Sequence, residues 1–234
     1  MSQVMNIEYP DCWEEVTLAQ LDMICRELLL KRSREELLTA IMIRLSGLRP
    51  IAIPGVCEGT LDARYWFKRG SATLLIPIRY FRDHCENLDF ILSQIGIPAD
   101  SPLPKINRKL YGVTFYAYYY ADAFFVKYQQ SQDNKDLDKA LSFLVSGRKS
   151  ATPNFALQFT IWWTGIRKYL QSEYPYVFED GSGSDRTPAQ TLLDLLSFLT
   201  DNKPHEEERL LQCDVHSVLN SLNNRIKEIR QNVN

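Results

Sequence analysis

The sequence predicts a mainly α fold: a helical bundle of about seven helices, with a small β-hairpin or loop insertion near residues 49–73. Three observations predict it. Two hydroxyl capping boxes open apolar stripes of helical period near the start of the chain. Leucine-rich and aromatic segments carry helical spacing through the second half. Between them, a stretch that mixes Pro, Gly and short β-prone runs breaks the pattern.

In chain order, Thr17-Leu-Ala-Gln20 is the first capping box, and Leu18, Leu21, Ile24, Cys25 and Leu28 follow it at helical spacing. Ser33-Arg-Glu-Glu36 is the second, followed by Leu37, Ile41 and Leu45 up to a stop at Gly47. The short Lys31–Arg32 turn predicts antiparallel contact between the two helices. From Arg49 to Thr73, Pro50, Pro54, Gly55, Gly59 and Gly70 punctuate runs such as Ile51–Ile53 and Tyr65–Phe67. A helix resumes near Pro77, carries Phe81, Cys85, Leu88, Ile91, Leu92 and Ile95, and ends at Gly96.

Pro98, Pro102 and Pro104 mark a linker. The expected organisation is an N-terminal helical region 1–97, a proline linker 98–107 and a C-terminal helical region 108–234. In the last, an aromatic helix leads to a stripe of Leu137, Leu141, Leu144 and Val145. A long helix from Pro153 to Tyr174 follows, stopped by Pro175. A flexible loop is expected at 179–185, then helices near 187–200 and 205–230.

Composition narrows the function classes. Hydrophobic residues are 45% and charged residues 24%, with a net charge of −2, so no strong overall field draws nucleic acid or acidic lipid. Five scattered cysteines, Cys12, Cys25, Cys57, Cys85 and Cys213, suit reduced thiols in a cytoplasmic setting better than a disulfide framework. The segment MSQVMNIEYPDCWEE has neither the basic nor the apolar region of a secretory signal. No run approaches the length of a membrane span, and Asp122 interrupts the most apolar one, so no membrane is expected.

That run, Val113 to Gln130, holds eight aromatic rings in eighteen residues. On a helical wheel Phe115, Tyr119 and Val126 share a face with Tyr118 and Phe125 beside it, while Tyr116, Tyr120 and Phe124 cover the opposite half. Rings on nearly all sides indicate burial on several sides or an interface. A strand with Tyr116, Tyr118 and Tyr120 on one face is the competing assignment. A stacking platform for nucleic acid would need more interleaved cations than Lys127, Arg108 and Lys109 supply. The interface candidates are therefore Trp13, Tyr116, Tyr120, Phe124, Trp162 and Trp163, with at most one of the paired tryptophans facing the same core as Phe159 and Ile166.

No catalytic residue, cofactor or metal site is predicted. The sequence has no GxSxG, HExxH, P-loop or GxGxxG signature. His84-Cys85 and Cys213-x-x-His216 lack paired ligand spacing. Glu14–Glu15, Glu35–Glu36 and Glu206–Glu208 sit at expected helix starts, where they complement the dipole. The basic clusters 31–34, 147–150 and Arg225–Lys227–Arg230 read as solvated faces.

The phrase Trp13-Glu14-Glu15-Val16-Thr17-Leu18 and the later Tyr174, Pro175, Val177 and Phe178, followed by a Leu- and Asn-rich last helix, resemble phage or prophage proteins of the tail-assembly type. The resemblance covers about a third of the chain. It implies a non-enzymatic role through protein partners in virion assembly, in a host cytoplasm or in the virion. The expected function is thus protein binding or self-association. A nucleic-acid-associated helical factor is the alternative, and an enzyme built from dispersed residues such as Glu58, Asp62, Arg64, His84 and Asp122 is the remote one.

Overall fold

The computed structural model describes residues 9–51, 64–145, 152–178, 194, 196, 197, 199, 200 and 203–233. The chain divides into two compact units, Met1–Asp100 and Ser101–Asn234. The fold is mainly α with one small antiparallel sheet.

In the first unit both capping boxes form. The Gln20 amide donates to Thr17 Oγ1 at 3.3 Å and the Thr17 amide to Gln20 Oε1 at 2.9 Å, starting helix α1 (Leu18–Leu28). Ser33 and Glu36 do the same for α2 (Arg34–Leu45), which Gly47 closes at φ +68°. The two helices pack together, with Leu21, Ile24 and Cys25 buried on one and Leu37, Leu38, Ile41 and Met42 on the other. The stripe is rotated from the expected one. Leu18 is exposed, and Glu27 is buried in its place. That carboxylate keeps its charge company: Arg44 Nε lies 2.6 Å from one oxygen and Arg32 Nη1 3.2 Å from the other.

The insertion is a three-stranded sheet in the order β1 (Arg49–Ile51), β2 (Arg64–Arg69), β3 (Ala72–Pro77). Ala52 and Ile53, expected in the first β-prone run, lie outside the described residues. Arg69 pairs with Ala72 across a two-residue turn, where Gly70 takes φ +58° without steric cost. Phe67, paired with Leu74, sits edge-on to Phe81 at 5.3 Å and fixes the sheet on helix α3 (Ile78–His84).

A single helix was expected from Pro77 to Gly96, but the α-helical turn tightens into a 3₁₀ helix over Cys85–Ser93. The buried residues there, Cys85, Leu88 and Ile91, explain the change. They recur every three residues, the period of a 3₁₀ helix, whose i and i+3 side chains eclipse. Trp13 then packs edge-on to Phe90 at 5.4 Å and covers Gly96 so closely that a Cβ there would collide with the indole.

The proline-bearing segment 98–107 does more than connect. The Ala99 amide donates to Val16 O at 2.9 Å, and Pro98, Pro102 and Leu103 are buried.

In the second unit the aromatic run is helix α4 (Phe115–Ser131), capped by Thr114, so the strand assignment does not hold. Asp133 caps α5 (Asn134–Leu144), and the two form a tight hairpin. Thr152 caps the long α6 (Pro153–Glu173), with Pro153 in its first turn; the short α7 (Pro175–Phe178) follows. The 179–185 loop and most of the 187–200 segment lie outside the described residues. The expected last helix is two helices, α8 (Pro204–Leu211) and α9 (Val215–Val233). Asp214 makes the break: its Oδ1 accepts the amides of His216 and Ser217 as an N-terminal cap, while Oδ2 takes the Gly112 amide at 2.6 Å.

Candidate interaction surface on helices α4 and α5

Helix α4 carries rings on all sides, and the structure gives the two halves different environments. Phe115, Tyr118, Tyr119 and Phe125 are buried, and the centre of their half is Asp122. Its Oδ1 accepts the Trp163 indole N–H at 2.9 Å and lies 3.3 Å from Arg167 Nε. Burial pushes the Asp122 carboxyl above its usual range, against the opposing pull of Arg167 and of the Trp163 bond. Burial, helped by the Asp122 charge, holds the Tyr118 phenol well above its ordinary value.

The other half faces outward. Tyr116, Tyr120 and Phe124 stand four residues apart, one above another along the helix. Phe143 of α5 inserts beside them: it stacks on Tyr120 at 5.1 Å and on Phe124 at 5.8 Å, and meets Tyr116 edge-on at 6.0 Å. Each such pair contributes about 0.5–1.5 kcal/mol beyond the area it covers. Two ammonium groups border the ladder, Lys127 Nζ at 4.9 Å and Lys139 Nζ at 5.2 Å from the Phe124 centroid. Tyr116 keeps 38% of its surface in water, and Tyr120, Phe124 and Phe143 are half-buried. The result is a ring-faced, lysine-edged strip about two helical turns, or roughly 12 Å, long.

The six candidate residues thus separate. Tyr116, Tyr120 and Phe124 share this strip. The three tryptophans are committed to cores. Trp162 and Trp163 have no exposed surface, both pack on Phe159, and their N–H groups go to Arg108 O and Asp122. The expectation that at most one of them faces that core is corrected: Phe159 is large enough to take one edge-on and the other face-on. Trp13 is buried in the first unit. Phe143 and Lys139 were not singled out from sequence, although four-residue spacing on α5 puts them on one face.

A second polar cluster joins the entry of α4 to that of α9. His216 Nε2 lies 2.7 Å from Lys109 O, an atom that only accepts, so this nitrogen carries the proton. Its Nδ1 bonds the Tyr174 hydroxyl at 2.8 Å, and the imidazole stacks on Tyr111 at 4.2 Å. Burial, with the nearby Glu173 charge, pushes the Tyr174 phenol up to about 12.

Other singled-out groups stay apart from any such assembly. His84 Nδ1 bonds Tyr80 O at 2.7 Å, and Arg32 and Arg34 of the first basic cluster pair with Glu27 and Asp89. Glu58, Asp62 and residues 147–150 lie outside the described residues. Among the described residues no group of three or more His, Cys, Asp or Glu could hold a metal ion, and no helix is long and apolar enough to cross a membrane. The four described cysteines, Cys12, Cys25, Cys85 and Cys213, are free thiols. Compared with protein-family models, with curated proteins and with solved structures, the chain gave no match.

Proposed function

We propose that the chain acts by binding protein, without catalysis, and that its contact surface is the aromatic strip of α4 and α5. One observation carries the reading: four rings gather at one water-facing strip while Trp13, Trp162 and Trp163 are spent inside cores. Exposed aromatic clusters of this kind are where binding energy concentrates in protein interfaces. Two groups that could serve chemistry are occupied structurally, Asp122 by Trp163 and Arg167 and His84 by the Tyr80 carbonyl. With the resemblance of Trp13–Leu18 and of Tyr174–Phe178 to tail-assembly proteins, the reading extends to virion assembly in a host cytoplasm.

The test compares wild type with a Tyr116→Ser/Phe124→Ser variant by size exclusion with light scattering, and by co-purification from the native host. A multimer or a co-purifying protein that the variant loses, at unchanged circular dichroism, is the expected result. Identical mass and identical co-purifying proteins for the two forms would refute the assignment of this strip.

A further inference from the structure

Resting on that reading of the α4–α5 strip, we propose that its occupant is an acidic amphipathic segment of another protein, with apolar side chains on the rings and carboxylates on Lys127 and Lys139.

The charge arrangement argues for this. In the first unit Arg26, Arg32, Arg34, Arg44, Arg79 and Arg82 each have a carboxylate within 4.0 Å. Lys127 and Lys139 have none among the described residues; each rests on the Phe124 ring instead. A cation steadied over a ring face, with no internal counter-ion, is preorganised for an incoming anion, which then loses less freedom on binding. Two such cations, one from each helix of the hairpin, border the same apolar strip. The complementary surface is apolar along its centre and acidic at its edge.

Ring geometry selects a peptide over a nucleic-acid strand. Base stacking needs open ring faces. Phe143 lies nearly parallel to Tyr120 and Phe124, at 19° and 14°, and takes a face of each. The Phe124 ring also carries the two ammonium groups. The exposed part of Tyr116 suits aliphatic and aromatic side chains packing from above. A strip of roughly 12 Å matches about two turns of a partner helix.

The experiment uses the full chain and four probes read by fluorescence anisotropy. Three are versions of one synthetic helical peptide with Leu and Phe on one face, flanked by Glu, by Gln or by Lys; the fourth is single-stranded oligothymidylate. The Glu peptide is expected to bind at least about tenfold more tightly than the Gln peptide, with the Lys peptide weakest. Lys127→Glu/Lys139→Glu should reverse the order of the Glu and Lys peptides, and Lys127→Gln/Lys139→Gln should level it. Both lysines are solvent-facing, so an unchanged thermal melt is expected for these variants. Equal binding of the Glu and Gln peptides would overturn the acidic assignment and leave the strip as a protein surface. Tighter binding of oligothymidylate than of any peptide would overturn it in favour of nucleic acid. Binding of no peptide, together with a Tyr116→Ser/Phe124→Ser variant that changes no association, would remove the underlying reading as well.

Discussion

Trp163 donates its indole N–H to Asp122 at 2.9 Å, joining α6 to the buried side of α4. The carboxylate is 4% exposed and shares that oxygen with Arg167 at 3.3 Å. The bond explains how an aromatic helix can hold an acid inside: the charge has one cation and one fixed donor, and the surrounding rings supply the apolar wall. It also makes the folded state sensitive to the protonation of one residue.

Asp122 is raised above its unfolded value mainly by burial, outweighing Arg167 and the Trp163 bond. A group raised in this way contributes stability that is fully present below its unfolded pKa and is lost as pH rises through the folded one. Asp122→Asn keeps an acceptor for Trp163 and removes that loss. The stability difference between variant and wild type should move in the variant's favour from about pH 3 to about pH 7. Denaturant titrations across that range check it, and a flat difference would exclude a burial-dominated Asp122. Asp122→Ala, which strands the Trp163 donor, should instead cost about 1–3 kcal/mol.

Gly96 lies against the Trp13 indole with no room for a Cβ. Gly96→Ala should destabilise the first unit by about 1–3 kcal/mol through overpacking, since the neighbour is a whole ring rather than a flexible chain end. Trp13→Leu in the same chain should absorb much of that cost. A double-mutant cycle by thermal melting measures it, and full additivity would mean that the ring and the glycine do not meet.

The Cys25 thiol is pushed up to about 12 by burial, with the charge of Asp22 adding to it. Thiolate is the reactive form, so Cys25 should resist iodoacetamide in the native protein at mildly alkaline pH. Burial predicts the same for Cys85, and the half-buried Cys12 and Cys213 should label before both. Mass spectrometry after a timed pulse reads the order. Labelling of Cys25 as fast as Cys213 would show that α1 opens readily.

Much of the fold was legible because local chemistry determined it. Thr17, Ser33, Thr114 and Thr152 each accept the amide three residues on at a helix start, and such caps need no tertiary partner. The misses came where a distant contact decided. Phe81 to Ile95 has helical spacing, yet packing at Cys85, Leu88 and Ile91 selected the tighter helix. The last helix broke because Asp214 is held from afar by the Gly112 amide. The wheel put Tyr116, Tyr120 and Phe124 on one half of α4 correctly, but Phe143 and Lys139 reach them only through the α4–α5 hairpin. Trp162 and Trp163 point apart on a wheel and still share Phe159, because large rings reach around a helix.

His216 and Tyr174 form another long-range bond, buried at 8% and 7% exposure. The imidazole links α9 to the Lys109 carbonyl, beside the Phe115–Cys213 and Val215–Val113 backbone bonds that hold the start of α4. Removing the ring by His216→Ala deletes two hydrogen bonds and strands the Tyr174 hydroxyl. The expected cost is about 2–4 kcal/mol, the sum of modest bond losses and one unsatisfied buried group. Tyr174→Phe leaves Nδ1 unpaired and should cost about 1–3 kcal/mol alone, but much less in the His216→Ala background, where its partner is already absent. Urea denaturation of the two single variants and the double variant gives the coupling. A value near zero would mean that the tyrosine and the histidine act independently.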